Sequence, residues 1–401
     1  MSSSLSGAAL PRARPLASLR LQSIDALRGL VIVFMLLDHV RETFFLHAQV
    51  SDPMDVAATD PALFFSRLLA HVCAPVFVFL TGLSAFLYGT RQADGRAATS
   101  AFLLKRGLFL IVLEFTLINF AWTFQLPPQV IYLQVIWAIG LSMVALAGLV
   151  WLPRGVLTAL GLAIVAGHNL LDGLHFPVGD VLHLPWAVLH DRGWIEVSET
   201  LRMRTSYPVL PWIGVIALGY AAGPWFGGAT PPAARQRLLA RSGLALLAGF
   251  VLLRSINVYG DRPWAAGESV LATLMSFVNV TKYPPSLLFL MLTLGIGLLL
   301  LLVFERQQQR HGGFLPPALA WLKVFGSAPM FFYLLHLYVL KLLYLTAVTI
   351  WGLNQGRFFG FDSIGAVWLV MVILTALLYA PVKAFAGVKT RRRDIAWLKY
   401  L

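Results

Sequence analysis

Long runs of apolar residues, without strict alternation of apolar and polar positions, dominate the chain and predict membrane helices rather than a transmembrane barrel. The predicted spans cover residues 27–45, 64–88, 102–122, 130–151, 155–171, 208–226, 238–256, 286–304, 325–351 and 365–386. The run 155–171 gives the weakest prediction, because it is short and contains His168 and Asn169. The predicted fold class is all-α, a polytopic membrane helix bundle of about ten transmembrane helices.

The first run differs from the others because it carries several ionisable side chains, namely Asp25, Arg28, Asp38 and His39. Arg28 and His39 are separated by close to three helical turns, so they share a face at a distance of roughly 16 Å. Asp25 precedes Arg28 by one turn. Ionisable groups inside a membrane are costly and usually line a pathway or a site. The simpler alternative is a structural Asp–Arg pair with one hydrogen-bonded histidine.

Composition supports a membrane protein. Hydrophobic residues make up 58% of the 401 residues, charged residues only 12%, and the mean hydropathy is +0.76. A soluble domain of this size could not bury so much apolar surface. A single cysteine, Cys73, excludes an intramolecular disulfide and an all-cysteine metal site.

The net charge of +13 is distributed as a membrane topology requires, and it does not point to nucleic acid. With the N-terminus placed inside, the inner segments hold 20 of the 31 Lys and Arg residues and the outer segments hold nine. Acidic residues show the opposite bias, three inside and twelve outside. This distribution predicts a multi-pass membrane protein with both termini cytoplasmic. The basic inner loops also favour anionic lipid or an anionic cytosolic ligand.

We divide the chain into one membrane domain and two tails. Residues 1–20 are predicted to be a disordered basic cytoplasmic tail, residues 21–390 the transmembrane domain, and residues 391–401 a basic cytoplasmic tail. A signal peptide is not predicted, because Arg28 and Asp38 interrupt the first apolar run. No internal repeat is evident, which weakens a transporter built from inverted repeats.

The second run contains His71 and, four residues later, Pro75. Because proline has no N–H, the carbonyl of His71 loses its helical partner, and a polar pocket could form beside the imidazole. A proline-kinked packing helix, with His71 in an interhelical hydrogen bond, explains the same residues equally well.

Further polar residues lie in or beside other runs, and a structural role competes with a functional one at each. Glu114 needs a partner, for which Arg28, Lys105 and Arg106 are candidates. Lys282, next to Tyr283, could hold an anionic acceptor or anchor a helix end by snorkelling. Tyr333 and His336 are one turn apart and share a face, where a buried hydrogen bond is the simpler role.

Other clusters carry weaker signals. Asn257 belongs to a polar cluster of open role at the outer end of the seventh span. The histidines of the outer loops are not at a metal-ligand spacing, so no metal site is predicted. They are His168, His175, His183 and His190.

Three stretches together resemble a known family. They are Asp25-Ala-Leu-Arg28-Gly29 leading to Asp38-His39, Ala74-Pro75-Val-Phe-Val-Phe-Leu-Thr-Gly82, and Tyr333-Leu-Leu-His336. The first resembles the first-helix motif of the transmembrane acyltransferase superfamily, and the second the heparan-α-glucosaminide N-acetyltransferase branch with its bacterial relatives. The resemblance spans most of the chain. It implies about ten helices, an acyl-CoA donor on the cytoplasmic side, a glycan-like acceptor outside and, through the bacterial relatives, a place in a bacterial inner membrane.

The chain departs from that branch at its catalytic histidine. The branch carries this residue as His-Ala-x-Trp in the loop after the first helix, whereas here His47-Ala48 is followed by Gln49 and Val50. This departure favours His39 as the catalytic histidine and His71 as the second candidate. His47 stays open as a third.

The resulting hypothesis is a membrane acyltransferase that uses acyl-CoA, in the first place acetyl-CoA, as donor substrate and has no permanently bound cofactor. A neutral imidazole is a suitable general base or acyl carrier at neutral pH. The candidate catalytic residues are His39, Asp38, His71 and Asp25, and the candidate substrate-binding residues are Arg28, Lys282, Tyr283, His336, Tyr333, Glu114 and Asn257. A proton-coupled transporter and a non-catalytic membrane subunit are the alternatives. Four points stay open: the identity of the acyl group, the identity of the acceptor, whether an acyl-enzyme forms, and the oligomeric state, for which a homodimer is one option.

Overall fold

The computed structural model of the protein describes residues 21–392 and 394–400. The predicted basic tail 1–20 therefore lies outside the described residues. The described chain is mostly helical and has only three short strands, which confirms the all-α fold class. In chain order the helices are α1 Gln22–Phe44, α2 Pro61–Ala70, α3 Cys73–Gly89, α4 Gly95–Leu113, α5 Asn119–Thr123, α6 Val135–Leu149, α7 Arg154–Gly167, α8 His183–Leu189, α9 Leu210–Ala221, α10 Pro232–Ile256, α11 Val270–Val278, α12 Leu287–Arg310, α13 Pro317–Ala320, α14 Leu322–Ser327, α15 Pro329–Trp351 and α16 Ile364–Arg391.

Within the described residues, six helical segments are long and apolar enough to cross a membrane. They are Pro61–Gly89, Arg154–Leu171, Pro232–Ile256, Leu287–Arg310, Pro329–Trp351 and Ile364–Arg391. Val135–Leu149 and Leu210–Phe226 are apolar but shorter. The protein is therefore a multi-pass membrane protein, while the count of ten spans stays a prediction.

Helix α1 is the centre of the bundle although it carries charges. It packs against α2, α3, α12, α14, α15 and α16. Glycine allows the closest of these contacts: a side chain at Gly29 would overlap the backbone of Leu322, and one at Gly326 would overlap that of Asp25. Helices α1 and α14 can therefore approach until their backbones touch.

The third predicted span, 102–122, is one continuous helical stretch that contains a π-helical turn. Helices α4 and α5 are joined by a π-helical turn, Glu114–Ile118. The Glu114 carboxylate accepts a hydrogen bond of 2.8 Å from the backbone N–H of Trp137 in the first turn of α6. The extra residue of a π-turn re-aims the side chains around it.

The fourth predicted span begins too early. Val130–Leu133 forms strand β1 instead of helix, because Asn119 binds its backbone at Val130 O (3.0 Å) and Tyr132 N (3.1 Å). Strand β1 pairs in parallel with β3, Arg202–Thr205, which pairs antiparallel with β2, Trp194–Glu196. Strands β2 and β3 and helix α8 belong to residues 172–205, which we call the cap, and β1 joins its sheet from outside this range.

Candidate active site

A cavity of about 650 Å³ runs along α1. Its wall includes Arg28 near one end of that helix, His39, and Glu42 near the other end. At about 1.5 Å per residue, Arg28 and Glu42 are roughly 21 Å apart along the axis. The cavity therefore extends over most of the bundle's depth, and His39 lies well inside it.

One end of the cavity is lined by cations, and we call it the basic end. These cations are Arg28, Arg91, Arg106 and Lys389. Arg28 is fixed by three contacts: it donates to Asp25 Oδ1 at 2.9 Å, to Ser84 Oγ at 3.1 Å and to the carbonyl of Gly326 at 3.1 Å. Arg106 has a buried Nε for which the described residues provide no hydrogen-bond acceptor. The basic end thus suits a polyanionic ligand.

In the middle of the cavity, His39 is hydrogen-bonded to a second histidine. His39 Nδ1 lies 2.7 Å from His336 Nε2, and His336 Nδ1 lies 2.7 Å from the backbone carbonyl of Phe332. A carbonyl can only accept, so His336 carries its proton on Nδ1 and, as a neutral ring, accepts at Nε2. His39 must then donate from Nδ1, which leaves the lone pair on His39 Nε2.

Aromatic rings surround this pair. Trp122 and Tyr333 meet the His39 ring edge to face, with centroids 5.2 Å and 5.8 Å away. His336 is fully buried and stacks on Phe332 at 5.0 Å. The rings hold the imidazole of His39 in one orientation and limit water beside it.

The opposite end of the cavity is lined by polar and aromatic side chains, and we call it the polar end. Its wall includes Asp38, Glu42, Tyr207, Lys282 and Tyr283. Asp38 is held by cations, since Arg41 donates two hydrogen bonds to it and Lys282 Nζ lies 3.7 Å away. Asp38 is thus engaged in ion pairs rather than in a hydrogen bond to His39.

The loop that carries Lys282 and Tyr283 is fixed by Asp52, which lies in the loop between α1 and α2. Asp52 accepts hydrogen bonds from the backbone N–H groups of Lys282 at 3.1 Å and Tyr283 at 2.7 Å. Burial alone would lower the pKa of Lys282, but Tyr283 and Asp38 raise it above its ordinary value, so the ammonium stays charged. Lys282 is buried and paired here, which excludes the snorkelling role considered above.

The structure brings most of the predicted site residues to this cavity and places others elsewhere. On its wall or hydrogen-bonded to it are Arg28, Asp38, His39, Lys282, Tyr283, Tyr333 and His336. Asp25 reaches it only through Arg28. His71 is buried against Phe289 and is not part of the wall.

Glu114 and Asn257 have structural partners instead of a place at the cavity. Glu114 accepts from the backbone of Trp137, so its partner is a helix N-terminus and none of the three cations considered above. Asn257 ends α10 in a left-handed conformation, and its amide binds both the N–H and the carbonyl of Trp264. The Asn257 side chain thus ties the end of α10 to the loop at Trp264.

The alternative histidine of the first loop also lies off the cavity. His47 is in a short 3₁₀ turn, Leu46–Ala48, where its Nδ1 faces Gly360. Only His39 combines a place on the wall with a fixed tautomer among the histidines of the described chain.

Sequence reasoning missed several residues of the wall. Glu42 could have been found, since it follows His39 by three positions on the same helix face. Arg91 lies in the turn after α3, Arg106 in α4 and Lys389 in α16, and no local pattern in the sequence indicates that these three cations meet.

Comparison with known proteins identifies the family. No curated protein matches the sequence significantly. The family model of the heparan-alpha-glucosaminide N-acetyltransferase catalytic domain matches residues 20–259, which is more than half of the chain and includes α1 to α10. The chain therefore belongs to the heparan-alpha-glucosaminide N-acetyltransferase family, and its kind of function is that of a membrane acetyltransferase.

Proposed function

We propose that the protein transfers the acetyl group of acetyl-CoA through the bundle to an amine or hydroxyl of an extracytoplasmic glycan-like acceptor. The observation that carries the proposal is the cavity with His39 between a basic end and a polar end. Two substrates that enter from opposite ends would meet at the imidazole.

The basic end is the proposed donor site. Coenzyme A carries several phosphate charges, and the cations of the basic end would bind them. Phosphates held near Arg28 leave about 16 Å, along α1, for the pantetheine arm to reach His39. Arg28 is already held by Asp25, so its role includes positioning of the wall.

His39 is the proposed general base. The acceptor nitrogen or oxygen attacks the thioester carbon while His39 Nε2 takes the acceptor proton. When the tetrahedral intermediate collapses, the carbon–sulfur bond breaks and the imidazolium returns the proton to the departing thiolate. The products are the acetylated acceptor and free coenzyme A.

The polar end is the proposed acceptor site. Glu42, Tyr207, Lys282 and Tyr283 offer carboxylate, hydroxyl and ammonium groups next to aromatic faces. This combination suits a sugar, whose hydroxyl groups need both donors and acceptors. The ion pairs around Asp38 keep Lys282 directed at this end.

The transporter and the non-catalytic subunit considered above use the same buried charges. The family match favours acetyl transfer over both. A transporter would move its substrate without consuming acetyl-CoA, and a non-catalytic subunit would release no thiol.

The test is acetyl transfer by the purified full-length protein in nanodiscs. Protein, acetyl-labelled acetyl-CoA and glucosamine are incubated, and both the released thiol and the labelled product are measured. We expect thiol and product in equal amounts. Thiol release without product would show that the acetyl group passes to water or stays on the protein, so that glucosamine is not the acceptor. No release with a panel of amino sugars and glycans would contradict the proposal.

The donor site is tested with Arg106→Ala, compared with Arg310→Ala, which removes a cation exposed at the end of α12 and outside the cavity wall. Loss of a charged hydrogen bond should raise KM for acetyl-CoA about 10- to 100-fold and leave kcat nearly unchanged. Equal KM values for the two variants would contradict a phosphate site at the basic end.

A further inference from the structure

Two histidines and an aspartate meet at the junction of α7 and the cap. His168 lies in the 3₁₀ turn His168–Leu171 that ends α7, Asp172 comes directly after it, and His190 comes directly after α8. Their candidate ligand atoms all lie within 4.8 Å of one another. The sequence alone did not suggest this cluster, because His190 is 22 residues away from His168.

His168 is the unusual member. Its side chain is only 2% exposed, and neither ring nitrogen has a hydrogen-bond partner among the described residues. A buried imidazole without partners is costly, and such groups call for a missing ligand, an ion or a water. Asp172 is half exposed, so the cluster is open to solvent on one side.

A carboxylate lies on each side of the His190 ring. Asp191 Oδ1 lies 3.5 Å from His190 Nδ1, on the other side of the ring from Asp172, whose Oδ1 lies 3.4 Å from His190 Nε2. In the present geometry His190 Nδ1 has no hydrogen-bond partner among the described residues. With a metal on Nε2, His190 would carry its proton on Nδ1, where the Asp191 carboxylate could accept it, as carboxylates do beside metal-bound histidines. Asn169 holds the other oxygen of Asp172 at 2.8 Å. His190 would exchange its present 3.1 Å hydrogen bond to the carbonyl of His168 for the metal.

Tetrahedral zinc with nitrogen and oxygen ligands needs these atoms roughly 3.3 Å apart, as bond lengths of about 2.0 Å require. Because the ligand atoms lie within 4.8 Å of one another, the cluster must contract by up to about 1.5 Å to reach this spacing. Rotation of the half-exposed Asp172 side chain can supply part of this movement. Two imidazoles and one carboxylate favour zinc over calcium or magnesium, which prefer oxygen ligands.

We propose that His168, Asp172 and His190 form a zinc-type divalent metal site that fastens the cap to α7. Such a site would also act on the cavity, because His190 is only two residues away from Arg192. Arg192 stacks over the ring of Tyr283 at 4.8 Å, and Tyr283 lines the polar end of the cavity. A metal that fixes His190 would thereby fix the cap residue that borders the proposed acceptor site.

The test uses tag-free, full-length protein in nanodiscs that has been stripped with a chelator. Zinc is added, the excess is removed by gel filtration, and the bound metal is counted by mass spectrometry. Cobalt serves as a second probe, since its visible spectrum reports tetrahedral coordination. The variants are Asp172→Asn, which keeps the shape and the contact with Asn169, and His190→Ala. The control is His311→Ala, an exposed histidine far from the cluster.

We expect the wild type and His311→Ala to bind one zinc ion, to show the tetrahedral cobalt spectrum and to unfold at a higher temperature with zinc. Asp172→Asn and His190→Ala should bind zinc at least 10- to 100-fold more weakly and lose the thermal shift. Metal binding that these variants retain, or a wild type that binds no zinc at micromolar concentrations, would overturn the proposal. The bound-metal count and the thermal shift do not depend on acetyl transfer, so a failure of the proposed function would leave this test unaffected.

Discussion

At the scale of single residues, the hydrogen bonds around His39 decide what it can do. The carbonyl of Phe332 fixes the tautomer of His336, which in turn fixes that of His39. The ring nitrogen left for chemistry is Nε2, as it is in catalytic histidines oriented by a carboxylate. Here a neutral histidine takes the place of the carboxylate, so no additional charge is buried in the membrane.

We predict that His39→Ala abolishes most acetyl transfer. Loss of a general base costs roughly 10²–10⁴ in rate. His39→Gln keeps a hydrogen-bonding side chain but cannot take up a proton at neutral pH, so it should be almost as inactive. The measurement is kcat with acetyl-CoA, together with donor binding, which should stay close to that of the wild type. Near-normal turnover in both variants, with loss of turnover in His47→Ala, would move the catalytic role to the first loop.

We predict a smaller effect for His336, which is hydrogen-bonded to His39 and is not part of the cavity wall. His336→Leu removes the acceptor for His39 Nδ1 and should lower kcat by about 10- to 100-fold at unchanged KM for acetyl-CoA, as for partners that orient metal-bound histidines. His336→Gln has an amide that can both accept and donate, so it should recover part of the loss. A purely structural His336 would instead give equal losses of activity and thermal stability in the two variants.

The sequence could predict only part of this site, and the reason is sequence separation. The shared face of Arg28 and His39 follows from helical periodicity within one element. The contact of His39 with His336 joins residues 297 positions apart, and that of Asp38 with Lys282 joins α1 to a distant loop. Helical periodicity assigns a residue to a face of its own helix, but it does not say which other helix packs against that face.

At the scale of elements, helix boundaries depended on contacts that local patterns do not contain. The all-α class followed from the apolar runs, whereas strand β1 replaced the start of the fourth predicted span because Asn119 binds its backbone. The π-turn at Glu114 likewise depends on the N-terminus of α6. Short apolar segments are where helix and strand are hardest to distinguish from sequence.

The contact between α1 and α14 gives a prediction at this scale. Gly29→Ala should lower the free energy of unfolding by about 1–3 kcal/mol, because the new methyl group would overlap the backbone of Leu322. The matched control is Gly148→Ala in α6, where a side chain meets nothing within 4 Å and alanine is the better helix former. Thermal unfolding in detergent should separate the two variants, and equal stabilities would show that α1 and α14 can move apart at little cost.

At the scale of the whole molecule, the two ends of the cavity must face different compartments if donor and acceptor are to enter from opposite sides. The basic end lies with the segments that hold most Lys and Arg residues, and such segments remain in the cytoplasm. In the function that we propose, the donor acetyl-CoA also enters from the cytoplasm. The cap marks the other end, where its Arg192 stacks over the ring of Tyr283.

We therefore predict that Gly228, in the loop before α10, faces the cytoplasm and that Glu199, in the cap, faces the outside. Both residues are exposed, and Cys73 is the only cysteine of the chain, so single cysteines can be introduced on a Cys73→Ala background. In spheroplasts of a bacterial host, a membrane-impermeant maleimide should label Glu199→Cys directly and Gly228→Cys only after the membrane is opened. Labelling of both cysteines from one side would place the two cavity ends in one compartment, and transfer across the bundle could then not be the mechanism.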